Sequence, residues 1–232
     1  MKKWEHRHSG PELMDGTALP DDDLFLNYKE LHFINRWLGG YRITLKGLKV
    51  FVEKDKVLSV LDAGCGGGDM LKVVAMWGRK NKVKLQLTGI DLSAAAIRYA
   101  QQNCRDYPEI SLLQGDIFTH LEQGNSYDVI MQTLLTHHFT DQQVAQLLRL
   151  MHDTVRIGFL INDLQRHVFA YYSIQWLTQL FSSSYLVKHD APLSVLRGFQ
   201  REEWYELLSE ALVANASVSW EWAFRYLVVF KR

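Results

Sequence analysis

The stretch VLDAGCGGGD, residues 60–69, places Asp62 two positions before a glycine run that begins at Gly64. Glycine has no side chain, so its backbone can approach a ligand closely and adopt positive φ angles. A pyrophosphate site would use the spacing G-x-G-x-x-G and leave the start of the next helix free for the anion. Here the third glycine of the pattern, Gly68, comes one residue early, and Asp69 stands at the helix start. The spacing favours a ligand without phosphate over NAD, and a simple strand-to-helix turn is the alternative for the motif taken alone.

Two further aspartates end apolar runs. Asp91 closes LQLTGID, 29 positions after Asp62, and Asp116 closes ISLLQGD. Taken singly, Asp91 could cap the next helix and Asp116 could be a turn residue. All three aspartates in order, each after a strand-like run, favour a ligand site instead.

A histidine pair, His137 and His138, follows the run YDVIMQT, and Asn162 and Asp163 end the run RIGFLIND. A histidine with a pKa near 6.5 is the natural base for a phenol with a pKa of ~10. We predict that His137 is the base, that Asp163 orients its ring, and that His138 is structural. The alternative is that one histidine binds backbone and the other is exposed.

The elements that must bring these residues together alternate between strand and helix signals. Ser93 is a predicted N-cap, and Thr140 with Gln143 forms a predicted capping box. The end of the chain, SVSWEW then FRYLVVFKR, indicates two closing strands, with antiparallel pairing as one option. Such alternation is typical of parallel βαβ units, whose ligands bind beyond the carboxyl ends of the strands. The strand-like runs are 56–63, 85–91, 110–116, 127–133 and 156–163.

In this order, VLDAGCGGG, TGIDLS, LLQGDIF and YDVIMQTLLTHHF resemble the motifs of class I S-adenosylmethionine-dependent methyltransferases. The resemblance covers roughly residues 45–231 and is closest to the small-molecule branch typified by quinone-biosynthesis methyltransferases. It implies an α/β fold: a Rossmann-like, doubly wound, seven-stranded and mostly parallel sheet. It also implies a helical N-terminal cap and a helical insertion after strand five.

The resemblance implies S-adenosyl-L-methionine as cofactor. Asp91 would bind the ribose hydroxyls, Asp116 the adenine amino group, Ile117 the adenine ring, and Gln132 the methionine portion. His137 would face the reacting methyl group. The full set of cofactor residues is Asp62, Gly64, Cys65, Gly66, Gly68, Asp91, Leu92, Asp116, Ile117 and Gln132.

Motifs that are absent from the sequence narrow the class of methyl acceptor. Amino-methylating nucleic-acid enzymes of this family carry an Asn/Asp-Pro-Pro-aromatic run where this chain has QTLLTHHF. Pyrimidine C5 methylation needs a cysteine in that region, and Cys65 and Cys104 lie elsewhere. We expect O-methylation of a small aromatic or polyketide-like acceptor, a phenol or an enol. The alternatives are an RNA- or protein-modifying methyltransferase and a non-catalytic, cofactor-binding partner subunit.

The segment 164–189 is long for a connection and rich in aromatic residues, which suits a helical lid over a flat, apolar acceptor. The buried face of an ordinary helix is the alternative. We divide the chain into a helical cap, 1–45, and a methyltransferase core, 46–232, that contains the lid. Arg36 or Arg42 is a candidate partner of the cofactor's carboxylate, although a surface position is the simpler interpretation of each. The predicted substrate-pocket residues are His138, Asn162, Arg166, Tyr172 and Trp176.

Composition limits the partners. The 26 basic side chains balance the 26 acidic ones, so no net charge attracts nucleic acid or an anionic membrane. No apolar run approaches the ~18 residues of a membrane span, and two cysteines make no disulfide framework. No second carboxylate follows strand four, and the histidine pairs are adjacent residues rather than a ligand set. We therefore expect a cytoplasmic monomer or homodimer without a metal ion, acting on a small-molecule acceptor.

Overall fold

A computed structural model of the chain describes residues 4–16 and 19–232. Seven strands form one sheet with the order β3-β2-β1-β4-β5-β7-β6. Strands β1 to β5 pair in parallel, β7 is antiparallel to β5, and β6 is antiparallel to β7. The strands are β1 (Val57–Ala63), β2 (Lys84–Asp91), β3 (Ile110–Gln114), β4 (Val129–Thr133), β5 (Gly158–Leu164), β6 (Ser217–Glu221) and β7 (Arg225–Lys231).

Nine α-helices within the described ranges surround the sheet. Ser93 caps α4, and Thr140 with Gln143 forms the capping box of α6, as the sequence predicts. The helices are α1 (Asp21–Trp37), α2 (Gly40–Leu48), α3 (Asp69–Asn81), α4 (Ala94–Asn103), α5 (Ile117–Glu122), α6 (Asp141–Thr154), α7 (Val168–Phe181), α8 (Tyr185–Arg197) and α9 (Arg201–Glu210).

Two apolar clusters fill the space between the sheet and its helices. Successive strand residues point to opposite faces, so in β1 Leu61 belongs to the cluster under α5, α6 and α9, whereas Val60 belongs to the cluster under α2 and α3. A strand buried on both faces is mostly apolar. This explains why the central strands read as largely apolar runs, with their buried polar residues Asp62, Gln132, Asn162 and Asp163 near the carboxyl ends.

The predicted fold class is confirmed: the sheet has seven strands, is mostly parallel and lies in a Rossmann-like arrangement. Strand β4 begins at Val129 rather than at residue 127, and α3 continues past Gly78 to Asn81. The sequence does not predict α8, which contains Pro192. The proposed boundary after residue 45 lies inside α2, so it does not coincide with the end of an element. Among the described helices, none is both long and apolar enough to cross a membrane.

Candidate functional site

A cavity of about 1090 Å³ opens at the edge of the sheet where β1 and β2 end. Its walls come from the glycine loop after β1, from α1, from α7 and from the segment before β7. Single-ligand pockets have volumes of roughly 300–1,000 Å³. The cavity is therefore large enough for a cofactor together with a small acceptor.

The glycine loop is held by short hydrogen bonds. The N–H groups of Gly64 and Cys65 donate to the Ile90 carbonyl at 2.9 and 3.0 Å, and the Gly66 N–H donates to the Asp91 carboxylate at 2.8 Å. A Cβ atom on Gly66, at φ +51°, would meet nothing within 4 Å. Because Gly66 lines the cavity, a side chain here would enter the ligand space.

Two other glycines of the loop, Gly64 and Gly68, have no room for a side chain because protein atoms lie close to them. A Cβ on Gly64 would lie 2.6 Å from the Leu135 side chain, and one on Gly68 would lie 2.7 Å from the Cys104 Sγ. Gly64 also lines the cavity, whereas Gly68 does not. The close approach at Gly68 is therefore between the loop and α4, not between the loop and a ligand.

All three predicted aspartates line the cavity. Asp91 accepts hydrogen bonds from the N–H groups of Gly66 and Ser93, and burial raises its pKa. Asp116 caps α5 by accepting from the Thr119 N–H at 2.9 Å. Neither local alternative holds as stated, because Ser93 rather than Asp91 caps α4, and Asp116 is a helix cap rather than a turn residue.

Asp62 is fully buried, and its Oδ2 has no hydrogen-bond partner among the described residues. Burial and the nearby charge of Asp91 raise the pKa of Asp62 well above its usual range. An orphaned carboxyl oxygen in a cavity wall fits a ligand that donates a hydrogen bond, such as an amino group. Together with the open space at Gly66, this oxygen fits the amino-acid portion of S-adenosylmethionine.

Most of the predicted cofactor residues lie in the cavity wall, but two do not. Gln132 is buried and accepts a hydrogen bond from Thr136 at 2.8 Å, and its neighbour Thr133 lines the cavity instead. Gly68 is the other exception. The predicted residues that line the cavity are Asp62, Gly64, Cys65, Gly66, Asp91, Leu92, Asp116 and Ile117.

His137 lies in the cavity wall between two buried carboxylates. Its Nδ1 is 2.7 Å from Asp163 Oδ1, and its Nε2 is 3.6 Å from Glu12 Oε1. Burial alone would lower the pKa of His137, but Asp163 and Glu12 together raise it to about 9. The same pairing lowers the pKa of Asp163 against the effect of burial. A pKa near 6.5 was the wrong expectation for this ring, because the sequence did not reveal the second carboxylate.

Glu12 also brings His138 into the cluster. His138 Nε2 is 3.8 Å from Glu12 Oε2, and its Nδ1 is 3.4 Å from Asp15 Oδ1. Glu12, His137 and His138 each offer a ligand atom, and these atoms all lie within 4.8 Å of one another. The two histidines are therefore not merely adjacent residues, since such a group could hold a divalent cation. Metal independence stays a prediction.

Four of the five predicted substrate-pocket residues are not among the residues that line the cavity. Asn162 is buried and donates to the Gly40 carbonyl and to Thr44. Arg166 is buried in an ion pair with Glu203 at 2.6 Å. Tyr172 and Trp176 are 59% and 65% exposed on the outer face of α7.

The inner face of α7 differs from the predicted aromatic roof. Ala170, Ser173, Ile174 and Leu177 line the cavity there. Because α7 has apolar residues on both faces, the sequence pattern does not show which face is inside.

Several cavity residues were missed. Arg225, at the start of β7, lines the cavity, as do Tyr28 and Asn35 of α1, whereas Arg36 and Arg42 are not among the lining residues. No motif marks these positions. Only the order of the strands brings Arg225 to the same edge of the sheet as Asp163.

Comparisons with known proteins agree with this geometry. Residues 60–158 match a family model described as a methyltransferase domain. A release factor glutamine methyltransferase of Rhodopirellula baltica is 35% identical over 75 residues, which is 31% of this chain and 24% of the relative. The chain thus matches about a quarter of the length of that curated relative.

Solved structures share the fold at low sequence identity. The plantazolicin methyltransferase in complex with S-adenosylhomocysteine gives a TM-score of 0.65 at 18% identity, covering 93% of this chain and 91% of that one. Human N-acetylserotonin methyltransferase in complex with S-adenosylmethionine gives 0.65 at 18% identity, covering 97% and 63%. Residues 60–158 therefore resemble a methyltransferase domain, and the chain shares the fold of these two methyltransferases. The likeness to quinone-biosynthesis enzymes in particular is not confirmed.

We predict that Gly66→Val abolishes binding of S-adenosylhomocysteine, measured by calorimetry, while the protein stays folded. The added side chain would fill open cavity space, and the positive φ adds a strain of ~1–2 kcal/mol. Gly124→Val is a matched control, because Gly124 also has a positive φ (+82°) and open space around its Cβ, but it is not among the residues that line the cavity. Normal binding by Gly66→Val would contradict the assignment of this loop.

We predict that Asp91→Ala weakens S-adenosylhomocysteine binding by about a hundredfold or more. Two hydrogen bonds from ribose hydroxyls to a carboxylate, at ~1.5–3 kcal/mol each, would be lost. The control is Asp128→Ala, which also removes a carboxylate that accepts a backbone N–H, here from Ser59 at 2.8 Å. An unchanged dissociation constant for Asp91→Ala would remove this residue from the site.

Proposed function

We propose that the chain methylates an oxygen atom of a small aromatic or polyketide-like molecule, with S-adenosylmethionine as methyl donor. One observation carries the proposal. A single cavity is lined by the glycine loop, by the three aspartates and by His137, which is hydrogen-bonded to the buried Asp163 behind it. The loop and the aspartates suit the cofactor, and His137 with Asp163 suits removal of a proton from the acceptor.

The cofactor supplies the methyl group: the bond from sulfur to carbon breaks as the bond from the acceptor oxygen to carbon forms. His137 Nε2 takes the proton of the acceptor hydroxyl. Asp163 holds Nδ1 at 2.7 Å, which fixes the ring orientation and stabilises the imidazolium. Proton transfer is efficient when donor and acceptor have similar pKa values, and a pKa of about 9 for His137 is close to that of a phenol, ~10.

The acceptor wall supports a flat, apolar substrate. Ile174 and Leu177 of α7 line the cavity, as do Trp222 and Phe224 of the segment before β7. Exclusion of water and correct placement of the reacting atoms supply the rest of the rate enhancement.

A protein-modifying activity is the second candidate, because the curated relative is named for methylation of a glutamine in a release factor. The matched portion is short. At the end of β4 and just after it, the chain has Gln132, Thr133, Leu134 and Leu135 in place of an Asn/Asp-Pro-Pro-aromatic run. This difference favours the small-molecule acceptor.

We predict that His137→Ala lowers kcat on a phenolic acceptor by ~10² or more and leaves cofactor affinity within a few-fold. The neutral ring is the active form, so the wild-type rate falls as pH drops below about 9, and the variant lacks this limb. A methyl-labelled cofactor and a panel of phenols, hydroxy-quinones, amines and tRNA provide the assay. His120→Ala, outside the cavity lining, is the control.

If His138→Ala loses activity and His137→Ala does not, the two roles are reversed. If neither variant changes kcat, positioning alone accounts for catalysis and the base assignment is wrong. Labelling of tRNA alone would overturn the acceptor class.

We predict that activity survives removal of divalent cations. The Glu12 carboxylate already has partners in both histidines and in Ser194, whose hydroxyl donates to it at 2.7 Å. Prolonged dialysis against EDTA, with metal content measured before and after, tests this expectation. Loss of activity that Zn²⁺ or Mn²⁺ restores would show that the cluster is a metal centre.

A further inference from the structure

Arg225 is the first residue of β7, and it is buried with 3% of its surface exposed. Its Nη2 donates to the Asn35 side chain at 2.9 Å. Its Nε and Nη1 have no hydrogen-bond partner within the described part of the chain. Arg225 is nevertheless one of the residues that line the cavity, so a buried side chain with unsatisfied N–H groups belongs to the wall of a ligand site.

The charge of Arg225 is also unpaired. Among residues 4–16 and 19–232, no carboxylate lies within the 4.0 Å of an ion pair with it. Asp163 is near enough to act on its charge, but that carboxylate is hydrogen-bonded to His137. Burial lowers the pKa of Arg225 to about 10, which still leaves the group cationic at neutral pH.

Another buried arginine, Arg166, has the partners that Arg225 lacks. Arg166 donates to both oxygens of Glu203, at 2.6 and 3.1 Å, and to the Gly198 carbonyl at 2.6 Å. A buried cation without such partners is costly. The missing partners at Arg225 therefore indicate a group that arrives with a ligand.

The position of Arg225 indicates which ligand. Arg225 pairs with Leu164 of β5, and the order β1-β4-β5-β7 puts it three strands away from the glycine loop. At ~4.8 Å per strand, this is roughly 14 Å across the sheet. Because Leu164 directly follows Asp163, Arg225 lies at the strand end that carries Asp163, the partner of His137, where the proposed acceptor would lie.

We propose that Arg225 binds an anionic group, a carboxylate, of the methyl acceptor. The identification of the ligand as the methyl acceptor rests on the proposed function. The anion site itself does not depend on turnover. Guanidinium groups bind carboxylates through charge-assisted hydrogen bonds, which are stronger than neutral ones. The residue would then select hydroxy-acids over their neutral analogues.

Binding to the wild-type protein tests the selectivity directly. In the presence of S-adenosylhomocysteine, we compare 4-hydroxybenzoate with 4-hydroxybenzamide, and salicylate with salicylamide, by calorimetry. We expect each acid to bind about ten- to hundredfold tighter than its amide. Equal affinity of acid and amide in both pairs, or no binding of either acid, would overturn the proposal without any variant.

Arg225→Met identifies the residue responsible. We expect the variant to lose the preference for acids and to bind S-adenosylhomocysteine and methylthioadenosine as the wild type does. Weaker binding of S-adenosylhomocysteine, with methylthioadenosine unchanged, would assign Arg225 to the carboxylate of the cofactor instead. That result would overturn the acceptor assignment.

Thermal unfolding separates this role from a structural one. Arg225→Met should keep or raise the melting temperature, because it removes a buried charge that no carboxylate neutralises, at the loss of one hydrogen bond to Asn35. Arg166→Met is the matched control and should lower the melting temperature, since it leaves Glu203 unpaired. A large loss of stability in Arg225→Met would show that the guanidinium is structural. Selective binding of acids without any methyl transfer would defeat the proposed function and leave the anion site standing.

Discussion

The parallel pairing of β1 with β2 on one side and β4 on the other is the constraint on which the site depends. In this register Ala63 is level with both Ile90 and Gln132, so the loops after all three strands leave the sheet at the same height. The chain order reverses at β1, which opens a crevice between the loops. The hydrogen bonds from Gly64 and Cys65 to Ile90, and from Gly66 to Asp91, then fix the loop backbone. The cofactor wall is thus built mainly from backbone geometry, with few side chains.

The part of the cavity wall that we assign to the acceptor is built differently, from side chains that are distant in the chain. Glu12 reaches His137 from the N-terminal segment, which is held by bonds from Leu13 and Met14 to Asp190 and from Arg197 to the Gly10 carbonyl. Burying a carboxylate is costly unless it is paired. Glu12 meets this condition through the two histidines and Ser194. The acid-base properties of His137 therefore depend partly on the contacts that hold the N-terminal segment in place.

This difference explains what the sequence could predict. The aspartates at 62, 91 and 116 and the glycines at 64 and 66 follow a local rule, since each lies at or just after the end of a strand, and all five line the cavity. Gln132 was missed by a single position because strand residues alternate, so that Thr133 faces the cavity. Tyr172 and Trp176 were placed inside because α7 is apolar on both faces. The position of Arg225 in the cavity wall depends on strand order alone, and no local sequence pattern predicts strand order.

The charges on the acceptor wall also connect the two proposals. Asp163 and Glu12 raise the pKa of His137 to about 9 in the free protein. A bound cofactor brings a sulfonium cation, which lowers that pKa, whereas an acceptor anion at Arg225 brings a negative charge, which raises it. The pH dependence of kcat/KM reports the free protein, and that of kcat reports the complex. The difference between the two midpoints therefore measures the net charge that the ligands bring to His137, and a neutral acceptor must move the midpoint for kcat further down than an acidic one.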